Sequence, residues 1–407
     1  MPDGYTSRVT DATTVRKAAL GAATGFALGY AAVRALQALR DLRAPYPARR
    51  DRSPQRYGAE RRALMIAGVA RSVAALATTA FVFADPLDRA LRVLPRPLRA
   101  PAFAVAVLAL DTVRDGATDY IEGHVFERAY ETSEQSASAW LSDQAKGAAV
   151  AAVVTALLVE LADAVVVRAP RRWPLIAIAA TPPLLAFATV IAPTFVMPLF
   201  NRYEPVTGEL ERRIRALAER YGVGDAAILR FDMSRQTKKA NAFVTGVLGT
   251  ERIALGDTLV SEFAEDETLF VVAHELGHYV RRDPWLGIAF GTGTIAATLL
   301  AADAVLRRTT RRGLTSPAQG ARLAFYAMLA QLALMPLANA VSRTMERRAD
   351  TFALAATNDR DAGIRAFRRL GEQNLAEFEP PRWSELLFAS HPSLASRIRA
   401  LEASASK

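Results

Sequence analysis

His274-Glu275-Leu276-Gly277-His278 is the stretch from which the chain is read. The residues before it, Glu265-Asp266-Glu267-Thr268-Leu269-Phe270-Val271-Val272-Ala273, read as the opening turns of a helix, with carboxylates at the end where the helix dipole favours negative charge. If the helix continues, His274 and His278 lie one turn apart on the same face and their imidazoles converge on one cation. Glu275 then projects beside them, placed to take a proton from a water activated by that cation. Two ligands and a general base on one rigid element is the mechanical content of an H-E-x-x-H motif. Alone it is moderately specific, but three of the chain's four histidines fall in motifs that fit together.

Such a site needs a third protein ligand. The candidate is Glu346, in Ser342-Arg343-Thr344-Met345-Glu346-Arg347-Arg348-Ala349-Asp350. Glu346 and Asp350 are four apart and share a helix face; the first can bind the metal while the second accepts a hydrogen bond from a ligand imidazole. The bland alternative is a solvated charged face. His391-Pro392, with Arg397 following, is a third element. His391 could donate to the oxyanion of a tetrahedral intermediate, and Arg397 could hold it or anchor a substrate carboxylate. The same residues also read as a helix start, with Ser390 as cap and Pro392 in the first turn. The fourth histidine, His124, lacks partner spacing and is assigned a structural or surface role.

The surroundings of these motifs are strongly apolar. Seven runs read as membrane spans: Ala18–Val33, Ala63–Ala84, Pro95–Val113, Gly147–Val167, Trp173–Val196, Trp285–Leu306 and Leu323–Val341. The third is the weakest, ending at Asp111 and Arg114. The first lacks a small-residue cleavage site and reads as a retained anchor. Gly21, Gly25 and Gly29 form a stripe on it that permits close helix approach. Arg71, Glu160 and Asp163 fall within spans and are expected to face protein or water. Pro182, Pro183 and Pro193 predict kinks. Residues 114–146 form a polar, mostly acidic, helical excursion.

Net charge is +10, almost all from arginine. Nucleic acid is the usual partner for such a balance, but the arginines cluster at the ends of apolar runs and no nucleic-acid-binding motif is present. The chain has no cysteine, so a metal must be held by nitrogen and oxygen. A soluble character begins at Asn201: Glu209–Tyr221 is an amphipathic helix, Ala226–Phe231 and Arg252–Leu255 are short strands, and Asn241–Gly246 is an extended edge segment. The expected division is 1–200, a membrane region of about five spans; 201–283, a catalytic segment; 284–341, a membrane hairpin; and 342–407, a second catalytic segment. The fold class is a polytopic α-helical membrane protein with a small α+β metalloprotease unit.

Together these residues resemble the type I CAAX prenyl proteases, integral-membrane zinc metalloproteases of the gluzincin kind. The likeness runs from about residue 60 to the end and takes in Pro198-Leu199-Phe200-Asn201 and Asn241-Ala242-Phe243. It implies one Zn²⁺ held by His274, His278 and Glu346, with Glu275 as general base, Asp350 as the supporting acid, and His391 and Arg397 as transition-state contacts. It implies that Asn241, Ala242 and Phe243 lie along the cleft and hold substrate as an added strand. It also implies seven helices around a water-filled chamber. The expected partners are a peptide or protein substrate and the lipid bilayer, with no nucleic acid and a monomer as the default.

The arginine-rich composition suggests a bacterial cell membrane, of actinobacterial character, so the family name is not read as the substrate. Arginine bias places the catalytic side in the cytoplasm through the basic stretch Arg40 to Arg62, although Arg307 through Arg312 oppose it. The alternatives are a membrane quality-control protease, whose relatives have fewer spans, and a non-catalytic zinc-binding scaffold, which would be expected to lack Glu275 or a ligand. A metal transporter would need histidines within its spans, and they are missing.

Overall fold

The computed structural model describes residues 51–246, 250–311 and 313–404. The expected span Ala18–Val33 lies outside the described residues. Ten helices matter here: α1 Pro54–Thr78, α2 Arg96–Tyr120, α3 Ala137–Arg168, α4 Trp173–Ile191, α5 Glu209–Arg220, α6 Glu265–Val280, α7 Asp283–Thr310, α8 Pro317–Thr357, α9 Arg360–Gln373 and α10 Leu394–Ala403. Among the described residues, five helical stretches are long and apolar enough to cross a membrane: Pro54–Val93, Ala137–Arg168, Trp173–Leu199, Asp283–Thr310 and Pro317–Thr357. The run Pro95–Val113 falls on α2, which forms a helix of 25 residues but is not apolar enough to join those five. It packs along α3, itself one of those five.

Arg71 meets protein: its guanidinium grips the Glu122 carboxylate with two bonds of 2.9 and 3.2 Å. The prolines of α4 act as expected. Pro182 and Pro183 sit inside the helix, which passes at Ala192–Val196 into a wider π-turn containing Pro193. The 114–146 segment is largely helical, as its reading as a helical excursion has it. Helix α2 continues through a π-turn, Ile121–Val125, before the chain turns back into α3. His124 is buried there against the rings of Tyr120 and Trp140, at 5.0 and 6.0 Å. Its role is packing.

A four-stranded sheet follows: β1 Tyr203–Pro205, β2 Ala227–Phe231, β3 Ala242–Thr245 and β4 Arg252–Gly256, in the order β1-β2-β4-β3. β2 and β4 run parallel and the two outer pairings are antiparallel, which leaves β3 as an edge. Helix α6 packs on this sheet and on α8. One apolar core draws Ile214, Leu255, Phe270 and Leu276 from one segment and Phe352, Phe367 and Leu401 from the other. The two stretches on either side of the membrane hairpin therefore fold as one body.

Residues 341 and 342, where the sequence divides the hairpin from the second catalytic segment, lie inside one helix. Helix α8 carries 41 residues without interruption from the membrane hairpin into the soluble core, a rod of roughly 60 Å. Nothing between Val341 and Arg343 would stop a helix, and Pro336 is absorbed inside it. The break at the other end of the hairpin has a cause. Arg282 takes the left-handed conformation at the helix cap, and α7 restarts at Asp283 with Pro284 in its first turn, where a missing N–H costs no helical bond.

A buried polar cluster ties the membrane region to the soluble body. Lys239 Nζ donates to the Tyr57 hydroxyl at 2.7 Å and to Glu127 Oε2 at 2.8 Å, while Tyr57 donates to Glu127 Oε1 at 3.0 Å. Arg61 and Thr132 also bond to Glu127. Glu127→Ala strands these cations, and breaking a buried pair from one side costs about 3 kcal/mol. Denaturation of the detergent-solubilised protein should register that loss, and the double variant with Lys239→Met should recover part of it.

Candidate metal centre and cleft

Helix α6 owes its placement to its own sequence. At its start Glu267 turns back to accept from the Ala264 backbone N–H at 3.2 Å, satisfying a donor the helix leaves free. Further along, Gly277 lies against α8 so closely that an added Cβ would come within 3.0 Å of the Phe352 ring. A larger residue would push the two helices apart. That approach brings His274 and His278 up to Glu346.

The donors converge. The two Nε2 atoms are 3.2 Å apart; Glu346 Oε2 lies 3.4 Å from that of His274, and Oε1 lies 3.3 Å from that of His278. Ligand atoms of all three residues fall within 4.8 Å of one another. The donor set, two imidazole nitrogens and a carboxylate, suits zinc with room for a further ligand. Glu346 Oε2 is buried with ring nitrogens of His274 and His391 close by, at 3.4 and 2.9 Å, and no partner of regular hydrogen-bond geometry, an environment a cation would satisfy. The residues present fit the ion.

Each imidazole is braced from behind. His274 Nδ1 lies 2.9 Å from Asp350 Oδ1, and His278 Nδ1 lies 2.9 Å from Asp283 Oδ2. Protonation at Nδ1 frees both Nε2 atoms for the cation. Burial opposes charge on His274, but the Asp350 and Glu346 carboxylates outweigh it and raise its pKa to about 9. His278 is raised likewise, burial again being overcome by Glu346 and Asp283. A cation entering here displaces a held proton. Burial pushes the Glu275 carboxyl up from its ordinary value.

Arg397 is drawn in from α10. Its Nε donates to Asp350 Oδ2 at 2.9 Å, one terminal nitrogen lies 3.2 Å from His274 Nδ1, and the guanidinium stacks 4.1 Å above the Phe367 ring. His391 Nδ1 sits 2.9 Å from Glu346 Oε2, with the side chain 63% exposed on the cleft. Asn241 and Ala242 line the same cleft, a cavity of about 510 Å³, together with Glu275 and Asn374. Phe243 is not brought there. Strand alternation turns it to the opposite face, where it packs on Phe231 at 5.6 Å. The Phe243 side chain is therefore turned away from the cleft.

Two participants were not foreseen from sequence. Asp283 could have been noticed as a carboxylate just beyond His278, but its approach depends on the left-handed turn at Arg282. Asn374, which accepts from the Ala240 N–H at 2.8 Å, gave no signal because its partner is 134 residues away. Asp283→Asn is expected to weaken zinc binding by about 10–100-fold, the range for losing a carboxylate behind a ligand imidazole. Competition against a zinc chelator would measure it; unchanged affinity would remove Asp283 from the site.

Comparison with known proteins agrees with this geometry. The profile of peptidase family M48 matches residues 205–405, and that of the CAAX prenyl protease N-terminal region, five membrane helices, matches residues 47–202. The Bacillus subtilis protein described as uncharacterized metalloprotease YhfN is 29% identical over 316 residues, 75% of this chain and 74% of that one. CAAX prenyl protease 1 of Saccharomyces cerevisiae is 31% identical over 175 residues, which span 42% of this chain and only 38% of the yeast protein. The crystal structure of S. mikatae Ste24p superposes with a TM-score of 0.71 at 22% identity, covering 93% of this chain and 97% of that one, a likeness of fold.

Proposed function

Because the chain belongs to peptidase family M48, preceded by the CAAX prenyl protease type of membrane region, we propose that it is a zinc endopeptidase acting on membrane-associated or CAAX-like peptides. The observation that carries this reading is the convergence of His274, His278 and Glu346 beside an exposed sheet edge. Those three residues would hold one zinc ion per chain. When bound, zinc lowers the pKa of a water to about 7 and polarises the scissile carbonyl.

The rest is the work of the chain. The β3 edge from Asn241 offers backbone groups to an extended substrate, which adds as a strand and lays its scissile bond across α6. Asp350 and Asp283 keep both Nε2 atoms turned to the cation. Glu275 takes the proton of the attacking water and returns it to the leaving amine as the C–N bond breaks. His391, on the open side of Glu346, donates to the oxyanion, and Arg397 locks Asp350 and His274 in register. The protein works in a bacterial membrane as a monomer, with its catalytic side toward the cytoplasm.

The test is cleavage of a panel of farnesylated and unmodified peptides by the detergent-purified protein, with and without a zinc chelator. Chelator-sensitive cleavage is expected, and a preference for the farnesylated members would assign CAAX-like substrates. Absence of chelator-sensitive cleavage across the panel would reject the peptidase reading.

A further inference from the structure

A second cavity, of about 740 Å³, adjoins the cleft beyond Asn374. Ala376, Glu377 and Pro380 form a wall common to both, and the second cavity reaches under the membrane helices to α1, α2 and α3. This neighbour is built differently from the apolar cavity of about 760 Å³ between the spans, whose lining is almost wholly hydrocarbon. Its walls carry Arg61, Arg62, Asp119, Glu122, Glu127 and Glu377. Ion pairs account for nearly all of this charge. Arg62 pairs with Glu377, Arg61 and Lys239 with Glu127, and Arg71 with Glu122.

Asp119 is the exception. Its side chain is exposed to the cavity and has no hydrogen-bond or ion-pair partner among the described residues. The charged groups around it are Asp115, Glu122, Arg71 and Arg114. Both arginines are engaged elsewhere, Arg71 by Glu122 and Arg114 by Asp111 and Asp115 at 2.8 and 2.7 Å. The cavity is thus a compensated polar surface with one uncompensated negative charge.

From this the geometry points to a subsite for a cationic residue of the substrate: a lysine or arginine outside the scissile bond enters the second cavity and pairs with Asp119. The inference rests on the peptidase reading and narrows it to peptides with a basic residue at one fixed distance from the cut. A neutral or acidic residue there leaves Asp119 unpaired or opposed, so the subsite discriminates by repulsion as well as attraction.

The test uses the full-length protein in detergent, with Glu275→Gln so that binding is read without turnover. The probes are fluorescent peptides in which one lysine is walked along an otherwise neutral sequence. One lysine position is expected to bind about tenfold more tightly than its alanine counterpart, equivalent to about 1.4 kcal/mol. The gain should shrink as salt is raised. Adding Asp119→Asn should abolish the gain, and adding Asp119→Lys should transfer it to peptides with glutamate at that position. A lysine preference that persists unchanged in Asp119→Asn, or no position-dependent preference, overturns the subsite. The same peptides offered to the unmutated enzyme separate the two claims. Cleavage indifferent to lysine rejects the subsite alone, whereas Asp119-dependent binding without cleavage rejects the peptidase reading alone.

Discussion

Glu275→Gln is expected to reduce peptide cleavage by about 10²–10⁴-fold, the range assigned to a positioned general base, while zinc content stays unchanged. The expectation follows from where Glu275 lies. It lines the cleft beside His274 and His278 but is not one of the three groups whose ligand atoms converge. Glutamine preserves the size and much of the hydrogen bonding of the side chain but cannot accept a water's proton. Burial already raises the carboxyl's pKa, so neutralising it costs the fold little and the loss falls on chemistry. Full activity in this variant would remove Glu275 from the mechanism; loss of zinc along with activity would make it a structural group.

The second large effect is expected at Glu346. Glu346→Ala leaves two imidazoles from a single helix as the only protein ligands, too few for the three that zinc sites with an open position use. It also leaves His274, His278, His391 and Arg397 facing the space of the lost carboxylate without their shared acceptor. Zinc should then fail to copurify and cleavage should fall to background. A thermal readout separates ligation from turnover. In the unmutated protein added zinc should raise the Tm in proportion to the logarithm of its concentration over Kd. In Glu346→Ala that rise should vanish. A zinc-dependent rise that survives would mean that Glu346 is not a ligand.

Much of this site was legible because its chemistry is local in sequence. His274, Glu275 and His278 share one turn, and Glu346 and Asp350 share another; helical spacing alone places each set on a face. Bringing the two sets together is a matter of packing, and only Gly277 against Phe352 reveals how the helices meet. The bracing of His278 by Asp283 escaped because it hangs on the backbone at one residue, Arg282, whose left-handed conformation carries no compositional mark. Strand β1 was missed for a different reason. Three residues, Tyr203–Pro205, are too few for an alternating pattern, and pairing with β2 makes the strand.

The membrane spans followed from apolar length, and the limits of that signal show in two places. Helix α2 has the length of a span but carries Asp111, Arg114, Asp115 and Asp119, of which the first three pair with one another. Composition weighs these charges as if they were solvated and cannot see the pairing. Helix α8 shows the converse. A hydropathy reading stops at Val341, where polar residues begin, yet the helix continues because Arg343 is buried and donates to the Glu385 and Ala389 carbonyls at 2.9 and 2.7 Å. Apolar length marked where the hydrocarbon-rich stretch ends but not where the helix does.

The central claim is that one zinc ion is held by two imidazoles and the Glu346 carboxylate, and X-ray absorption at the zinc edge of the purified protein tests it most directly. The account predicts one zinc per chain, with two imidazole nitrogens and oxygen ligands at about 2.0–2.2 Å, and loss of the signal in Glu346→Ala. A protein without zinc, or one whose zinc spectrum is unaltered by Glu346→Ala, would contradict it.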